Sequence, residues 1–234
     1  MANTEHTFAI QAALQDARNY NTWIADQFAA RVGSRVLDIG SGYGNIISHF
    51  VAAQRYIIAL DVESAYIDYL NSKYSSKTFQ AINADFSVVP GEQLSGYKID
   101  TITCFNVLEH FEDDIAVLQK MFSLLPKGGT LCLLVPAMPM LYGSMDKADG
   151  HYRRYTKKDL AGKLTRVGFE IEKLYFMNFP GVFGWFLNGR VLKRDVIRPT
   201  QVRFYDMIVP AIRACESVIH PPVGQSLVVI AHKK

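Results

Sequence analysis

Long apolar runs are missing from this 234-residue sequence. Its long uncharged stretches, around 130–143 and 174–189, are interrupted by Pro and Gly, whereas a membrane-spanning helix needs ~20 consecutive apolar residues. The amino-terminal segment MANTEHTFAI lacks the basic start and apolar core of a secretory signal. The sequence therefore predicts no membrane span and a cytoplasmic location.

Cysteine is scarce, with only Cys104, Cys132 and Cys215. Their number is odd, no CxxC spacing occurs, and two of them fall in strand-like runs where a thiol packs as a small hydrophobe. No HExxH motif or clustered His and carboxylate spacing is present either. We therefore expect neither a disulfide framework nor a catalytic metal.

Acidic residues are sparse in one part of the chain. The net charge is only +3, but the range 147–203 holds 13 Lys or Arg against 5 Asp or Glu. This asymmetry indicates that the two parts of the chain face different partners, or that the basic part is simply a solvated face.

Strand-like apolar runs alternate with helix-like stretches through the first 137 residues. Near-continuous apolar strands of this kind indicate a parallel sheet that is covered on both faces. The fold class is therefore α/β, doubly wound. The runs are RVLDIG (35–40), YIIALDV (56–62), FQAINAD (79–85), IDTITCFN (99–106) and TLCLLVPA (130–137).

Further elements follow. A helix begins near Asp113 and Asp114 and stops before the Pro-Lys-Gly-Gly run that begins at Pro126. Another runs from the N-cap Thr156 to Val167, with a terminating glycine after it. The ranges 170–179 and 226–233 are predicted strands, and the stretch between them is predicted to be irregular. No linker composition marks a boundary, so a single domain is expected.

A glycine-rich turn ends the first strand at Asp38-Ile39-Gly40-Ser41-Gly42-Tyr43-Gly44. Glycines allow a sharp turn and a close approach of a ligand to the backbone. The dinucleotide fingerprint GxGxxG is incomplete, since Asn45 stands in place of its last glycine. A carboxylate at Asp38 would repel a pyrophosphate but would suit a cationic group. The turn therefore favours a zwitterionic ligand over NAD.

Two more acids end the next two strands. Asp61 follows Gly40 by 21 residues, where an acceptor binds ribose hydroxyls, and Asp85 precedes the aromatic ring of Phe86, which could flank a base. Either acid could instead cap the helix that follows it. Ligands of open α/β sheets bind at this edge, so the three acids together indicate a nucleoside-containing ligand.

These residues as a set resemble the class I S-adenosylmethionine-dependent methyltransferases, in particular the small-molecule branch with Leu-Glu-His after the fourth strand. The resemblance implies a Rossmann-like sheet of seven mostly parallel strands, the last one antiparallel. It also implies one methyltransferase domain with lid helices over 1–34, a cofactor-binding core over 35–137, an acceptor-binding and cap region over 138–225, and a last strand over 226–234. The matching segments are VLDIGSGYG (36–44), LDV (60–62), NADF (83–86), FNVLEHFEDD (105–114) and LLPKGGTLCLLVP (124–136).

The resemblance implies S-adenosyl-L-methionine as the cofactor. Asp38 would then lie near the methionine ammonium, Asp61 at the ribose and Asp85 at the adenine amine. Tyr20, with Arg18 and Trp23, would belong to a lid, although Trp23 could equally pack a helix onto the sheet. The positions implied to bind cofactor are Tyr20, Asp38, Gly40, Ser41, Gly42, Gly44, Asp61, Val62, Asp85, Phe86 and Asn106.

Methyl transfer from an activated sulfonium needs alignment and exclusion of water more than a covalent nucleophile. A hydroxyl acceptor would benefit from a base, and His110 is the first candidate because it follows the fourth strand. Glu109 and His151 are the second and third. His110 could instead be a structural residue that caps the next helix.

The acceptor is expected to contact two segments beyond the fifth strand. Tyr152, Arg153, Arg154 and Tyr155 place guanidiniums beside aromatics, where they could bind a carboxylate or phosphate or form internal salt bridges. The aromatic range 175–186, which includes Trp185, reads as a bent apolar cap, or alternatively as ordinary core. We expect O-methylation of a small or amphiphilic, lipid-like acceptor, with peripheral membrane contact as a further expectation.

Nucleic acid is not expected as a partner, because no Asn/Asp-Pro-Pro-aromatic motif follows the fourth strand and no separate binding module is present. Two other functions stay open at this stage: a nicotinamide-dependent oxidoreductase and a non-catalytic cofactor-binding member of the fold. The sequence leaves the oligomeric state undecided.

Overall fold

The computed structural model describes residues 15–51, 55–74 and 76–234. The first 14 residues of the predicted lid range 1–34 therefore lie outside the described part. Strands and helices alternate as far as the fifth strand and are less regular after it. In chain order the elements are α1 (Arg18–Phe28), β1 (Arg35–Ile39), α2 (Ser48–Val51), β2 (Tyr56–Asp61), α3 (Ser64–Lys73), β3 (Phe79–Asn83), α4 (Gly91–Ser95), β4 (Thr101–Phe105), α5 (Asp114–Leu124), β5 (Thr130–Pro136), α6 (Ser144–Ala148), α7 (Lys157–Val167), β6 (Phe169–Met177), α8 (Phe179–Trp185), α9 (Pro199–Val218) and β7 (Ser226–Lys233).

The seven strands form one sheet in the order β3-β2-β1-β4-β5-β7-β6. Strands β1 to β5 pair in parallel, and β7 runs antiparallel to both of its neighbours. The predicted α/β class and the antiparallel last strand are confirmed.

Each face of the sheet is covered by its own apolar core. On β1, Leu37 and Ile39 belong to one core while Val36 belongs to the other, because successive strand residues point to opposite faces. Helices α5 and α7 cover the first face, and α1 and α9 cover the second through residues such as Trp23 and Val209. Burial on both faces explains why the parallel strands read as continuous apolar runs.

The predicted ends of α5 and α7 are confirmed by their caps. The Asp113 carboxylate accepts from the Ala116 N–H at 2.9 Å, and the Thr156 hydroxyl oxygen accepts from the Asp159 N–H at 3.1 Å. Gly168 ends α7 with φ +113, a conformation that favours glycine.

The prediction of an irregular stretch before the last strand is wrong. It contains α8, a π-helical turn (Phe186–Val191) and the 20-residue α9. Helix α9 was obscured in the sequence because Pro210 lies inside it and apolar residues occupy both of its faces. The prediction of one bent apolar cap over 175–186 is also wrong in part, because Tyr175 and Phe176 belong to β6. No helix of the described residues is both long and apolar enough to cross a membrane.

Candidate active site

A cleft opens at the carboxyl ends of the parallel strands and has two halves. Gly40, Asn106, His110 and Asp149 line both halves. We call them the Asp61 half and the Asp38 half, after the strand-end acid that each contains.

The Asp61 half contains a carboxylate that is hydrogen-bonded to the glycine-rich turn. Asp61 accepts from the Gly42 N–H at 2.8 Å and from the Glu63 N–H at 3.0 Å, and burial raises its pKa. Asp85 and Phe86 line the same half, with the exposed Val62. The residues that end the second and third strands therefore lie in one half of the cleft, as the sequence predicts.

The Asp38 half begins at a buried carboxyl. Asp38 accepts from the Thr103 hydroxyl at 2.6 Å, and burial raises its pKa to about 7. A cation that binds beside it would favour the ionised form and remove this shift. Ser41 lines this half too, as the sequence predicts.

The turn between these acids requires glycine at one position above all. Gly40 has φ +69, and a Cβ built there would lie 2.4 Å from Cγ2 of Val107. Gly44 also has a positive φ, of +74, but it lies outside the lining of both halves. Direct contact of Gly44 with a cofactor is therefore not supported: it turns the chain against Leu70.

Two histidines meet where the halves join. The rings of His110 and His151 contact edge to face, with centroids 4.7 Å apart. Burial, together with the neighbouring charge of His151, lowers the pKa of His110 to about 4. At neutral pH His110 is consequently an uncharged imidazole at the floor of the cleft.

His151 has the opposite charge state. Burial alone would lower its pKa, but Asp146 and Asp149 hydrogen-bond its two ring nitrogens at 3.1 Å each and raise the pKa to about 9. His151 lines the Asp38 half, so this part of the cleft presents a buried cation at neutral pH.

Glu109 is buried beneath the two histidines and does not line either half of the cleft. Its Oε1 is 3.9 Å from Nε2 of His151, neither of its oxygens has a hydrogen-bond partner among the described residues, and burial raises its pKa to about 7. Glu109, the second candidate for the base, thus lies outside the lining of the cleft. Glu109, His110 and His151 place ligand atoms within 4.8 Å of one another, so this is where the described residues could hold a metal ion.

Sequence reasoning missed Asp146, the residue that organises the acceptor side. Its fully buried carboxylate accepts from four donors: Nδ1 of His151 at 3.1 Å, Nε of Arg154 at 2.6 Å, Nε1 of Trp185 at 3.1 Å and the N–H of Gly143 at 2.9 Å. These donors lie up to 39 positions away in the chain, so no local motif indicates the role of Asp146.

Two of the five predicted acceptor residues line the cleft. Arg154 and Trp185 are part of the Asp38 half, with the guanidinium 4.6 Å from the indole centroid. Arg154 is already paired with Asp146 and donates to the carbonyl of Ala137 at 3.0 Å. Arg154 therefore has fewer N–H groups left with which to bind an acceptor anion.

The other three predicted acceptor residues lie outside the lining. Tyr152 is 56% exposed, and the guanidinium of Arg153 donates to the carbonyl of Glu112 at 2.6 Å. Tyr155 is fully buried and donates to Asp114 at 2.9 Å. The alternative of internal salt bridges is therefore seen for both guanidiniums, since Arg153 is 3.3 Å from Asp114 and Arg154 is 2.6 Å from Asp146.

Helix α1 forms one wall of the Asp38 half. Tyr20, Asn21 and Ile24 line it, whereas Trp23 is 3% exposed and packs in the core. The Asp206 carboxylate holds this wall to α9 by accepting from the backbone N–H groups of Asn19 and Tyr20 at 3.2 and 2.8 Å. Tyr20 therefore lies at the cleft and its role in a lid stays a prediction, whereas Trp23 packs in the core, as the alternative interpretation expects.

Residues 11–174 match the sequence family described as "Methyltransferase domain". The chain belongs to this family. This match confirms the resemblance to methyltransferases that the sequence motifs predict. The "Ubiquinone biosynthesis O-methyltransferase" of Xanthomonas campestris pv. campestris (strain B100) is 38% identical over 117 residues, which is 46% of each protein. The chain thus spans about half the length of this curated relative.

Solved structures agree on the fold. One is a chain of the complex between the Haloferax volcanii Trm112 methyltransferase activator and the putative methyltransferase, with TM-score 0.65, 14% identity and coverage of 97% of this chain and 96% of that one. Another is Haemonchus contortus phosphoethanolamine N-methyltransferase 2 in complex with S-adenosyl-L-methionine, with TM-score 0.61, 16% identity and coverage of 92% and 52%.

The described residues fit this cofactor. Asp38 is a buried carboxyl that forms no ion pair with any described residue, and Gly40 has a positive φ at which a Cβ would collide with Val107. Asp61 and Asp85 place acceptor oxygens along the other half of the cleft. A ligand with an ammonium, a ribose and an adenine matches these groups in order along the strand ends.

Proposed function

We propose that this protein transfers a methyl group from S-adenosylmethionine to a hydroxyl oxygen of a small, amphiphilic acceptor, and that His110 takes the hydroxyl proton. The observation that carries this proposal is the position of His110. Its imidazole lines both halves of the cleft, where the two ligands meet, and is uncharged at neutral pH, so a ring nitrogen is free to take the proton. A pKa of about 4 makes it a weak base, so the negative charge that develops on the acceptor oxygen beside it has to raise that pKa during the transfer.

The strand-end residues would bind and orient the cofactor. In this proposal Asp38 pairs with the methionine ammonium, Asp61 accepts from the ribose hydroxyls, and Asp85 with Phe86 surrounds the adenine. When bound, S-adenosylmethionine supplies a methyl group already activated on a sulfonium. The protein then has to align the acceptor, exclude water and remove one proton.

The Asp38 half supports an acceptor with an apolar body and an oxygen that becomes anionic. Ile24, Met145, Trp185 and Ile197 give it apolar walls, while His151 contributes a buried imidazolium that is hydrogen-bonded to Asp146 and Asp149. A cation near the acceptor hydroxyl favours its deprotonated form. The name of the Xanthomonas relative, an O-methyltransferase of ubiquinone biosynthesis, adds support for transfer to oxygen.

The first test is calorimetric titration with S-adenosylmethionine and its demethylated product, with NADH as a control. We expect both sulfur compounds to bind and NADH to be silent. Methyl transfer to hydroxylated aryl and prenyl compounds is then assayed. Cofactor binding without turnover of any such acceptor would favour a non-catalytic member of the fold, and binding of NADH alone would return the oxidoreductase interpretation.

The role of His110 is tested by His110→Ala. Loss of a general base should lower kcat by about a hundredfold or more while the affinity for S-adenosylmethionine stays close to that of the wild type. His49→Ala is the matched control, because His49 is an exposed histidine that lies outside the cleft lining. Equal losses of turnover and cofactor affinity in His110→Ala would make His110 a binding or structural residue.

A further inference from the structure

Helix α9 has an apolar face that is turned to solvent. Its inner face packs against the molecule through Val209 and Asp206, which are 1% and 8% exposed. On the opposite face Phe204, Met207 and Val218 are 63%, 66% and 79% exposed. These outer positions recur with helical spacing, so they form a continuous stripe rather than scattered apolar residues.

The preceding segment extends this exposed apolar surface. Glu216 ties α9 to the start of α8 by accepting from the N–H groups of Asn178 and Phe179 at 3.0 and 2.7 Å. On α8 and the π-helical turn, Phe183 is 63% exposed and Leu187 is 49% exposed. We call the whole surface the apolar platform; its exposed residues are Phe179, Phe183, Phe186, Leu187, Val191, Leu192, Phe204, Met207, Ile208 and Val218.

The charges next to the apolar platform are mainly positive. The segment between its two helices exposes Arg190, Lys193 and Arg198 and one acid, Asp195. The acids Asp206 and Glu216, by contrast, are engaged with backbone N–H groups of α1 and α8. A positive rim around aromatic and aliphatic side chains complements an anionic lipid surface, where the side chains insert and the cations meet headgroups.

A second copy of the chain is a poorer occupant. A two-fold interface places the same surface on both sides, so the basic surface next to the apolar platform would face the basic surface of the other copy. These like charges would repel each other. This repulsion is absent when the opposing surface is an anionic bilayer.

We propose that the apolar platform docks onto the surface of an anionic lipid bilayer. The same segments line the cleft: Trp185, Ile197 and Val202 belong to the Asp38 half. Docking would therefore bring the acceptor side of the cleft close to the bilayer, and an amphiphilic molecule would reach it without crossing bulk water. The docking itself does not depend on methyl transfer, so it can fail or hold independently of the proposed function.

The test is sedimentation of the full chain with vesicles of phosphatidylglycerol and phosphatidylcholine, compared with vesicles of phosphatidylcholine alone. We expect binding to the anionic vesicles that weakens as salt is raised. The double variant Phe204→Ser/Met207→Ser should bind about tenfold more weakly or worse, because two inserted apolar side chains are lost. Val88→Ser, which removes a 75% exposed apolar residue from the segment that follows the edge strand β3, should bind like the wild type.

A second pair of variants tests the charges. Arg190→Gln/Lys193→Gln should reduce binding to anionic vesicles and flatten its salt dependence. The control Lys77→Gln/Lys127→Gln, which changes two exposed lysines outside the apolar platform, should do neither. Retained affinity for S-adenosylmethionine in each variant shows that it is folded. Wild-type protein that ignores anionic vesicles would overturn the proposal. A dimer that Phe204→Ser/Met207→Ser dissociates, with vesicle binding unchanged, would also overturn it and assign the apolar platform to self-association.

Discussion

Asp61 combines two tasks in one side chain. Its carboxylate already accepts from the N–H groups of Gly42 and Glu63, and it lies in the half of the cleft assigned to the ribose. We expect Asp61→Ala to weaken S-adenosylmethionine binding by about 1 to 3 kcal/mol, because buried hydroxyls and the turn lose their acceptor. Calorimetry measures this change, with the exposed Asp68→Ala as the control. Unchanged affinity would remove Asp61 from the cofactor site.

Asp146 is the carboxylate that forms the ion pair with Arg154 and hydrogen-bonds His151. Asp146→Asn keeps the shape but removes the ion-pair partner of the 5% exposed Arg154. We expect the free energy of unfolding to fall by about 3 to 5 kcal/mol, the usual cost of breaking a buried ion pair on one side. Asp159→Asn breaks an exposed pair with Lys163 and should cost less than about 1 kcal/mol. Denaturant unfolding compares the two variants, and similar losses would show that Asp146 is not a structural hub.

At the scale of elements, the effect of replacing a glycine depends on whether it lies in a turn with positive φ or inside a helix. Gly40 has φ +69 and no room for a Cβ beside Val107, while Gly162 lies inside helix α7 with nothing within 4 Å of a Cβ. Gly40→Ala should therefore destabilise the protein by about 1 to 3 kcal/mol and weaken cofactor binding. Gly162→Ala should stabilise it by about 0.5 to 1 kcal/mol, since helical glycine is costly. Thermal unfolding and calorimetry measure both, and a neutral Gly40→Ala would show that the turn can rearrange.

The elements that the sequence predicts well are those with local causes. The parallel strands are apolar along their whole length because both faces are buried, and α7 carries its own cap residues Thr156 and Gly168. Helix α9 was missed because its exposed face is as apolar as its buried one, which removes the polar side that marks an ordinary surface helix. Its unusual pattern is the observation from which bilayer docking is inferred.

The strand-end acids could be predicted for the same reason, since topology alone brings the ends of parallel strands together. The acceptor side could not. Arg153 and Arg154 are adjacent in the chain, yet one donates to a carbonyl near the surface and the other is paired with buried Asp146. Only tertiary packing separates these two environments, so no spacing in the sequence distinguishes them.

At the scale of the whole molecule, two different parts of the chain supply the residues of the cleft at the carboxyl edge of the sheet. Asp38 and Asp61 lie in β1 and β2 and Asp85 follows β3, while the segments after β5 supply His151, Trp185 and the basic residues. The charge asymmetry of the sequence thus follows a boundary in the fold. The acidic part surrounds the proposed cofactor site and the basic part surrounds the proposed acceptor entrance.

We expect the free energy of unfolding to depend on pH because His151 is a buried cation. Folding raises its pKa from 6.5 to about 9, so the folded state binds this proton more tightly than the unfolded state. The resulting stability is complete below pH 6.5 and is lost as the pH rises through 9. The shift corresponds to about 3 kcal/mol.

Unfolding free energies measured between pH 7 and 9.5 test this assignment. They should fall more steeply for the wild type than for His151→Gln, which cannot titrate. Unfolded cysteine thiols and buried Asp38 contribute equally to both proteins, so the difference between the two curves belongs to His151 and the carboxylates that contact it. Parallel curves would mean that His151 is neutral in the folded protein, and the acceptor side of the cleft would then lose its positive charge.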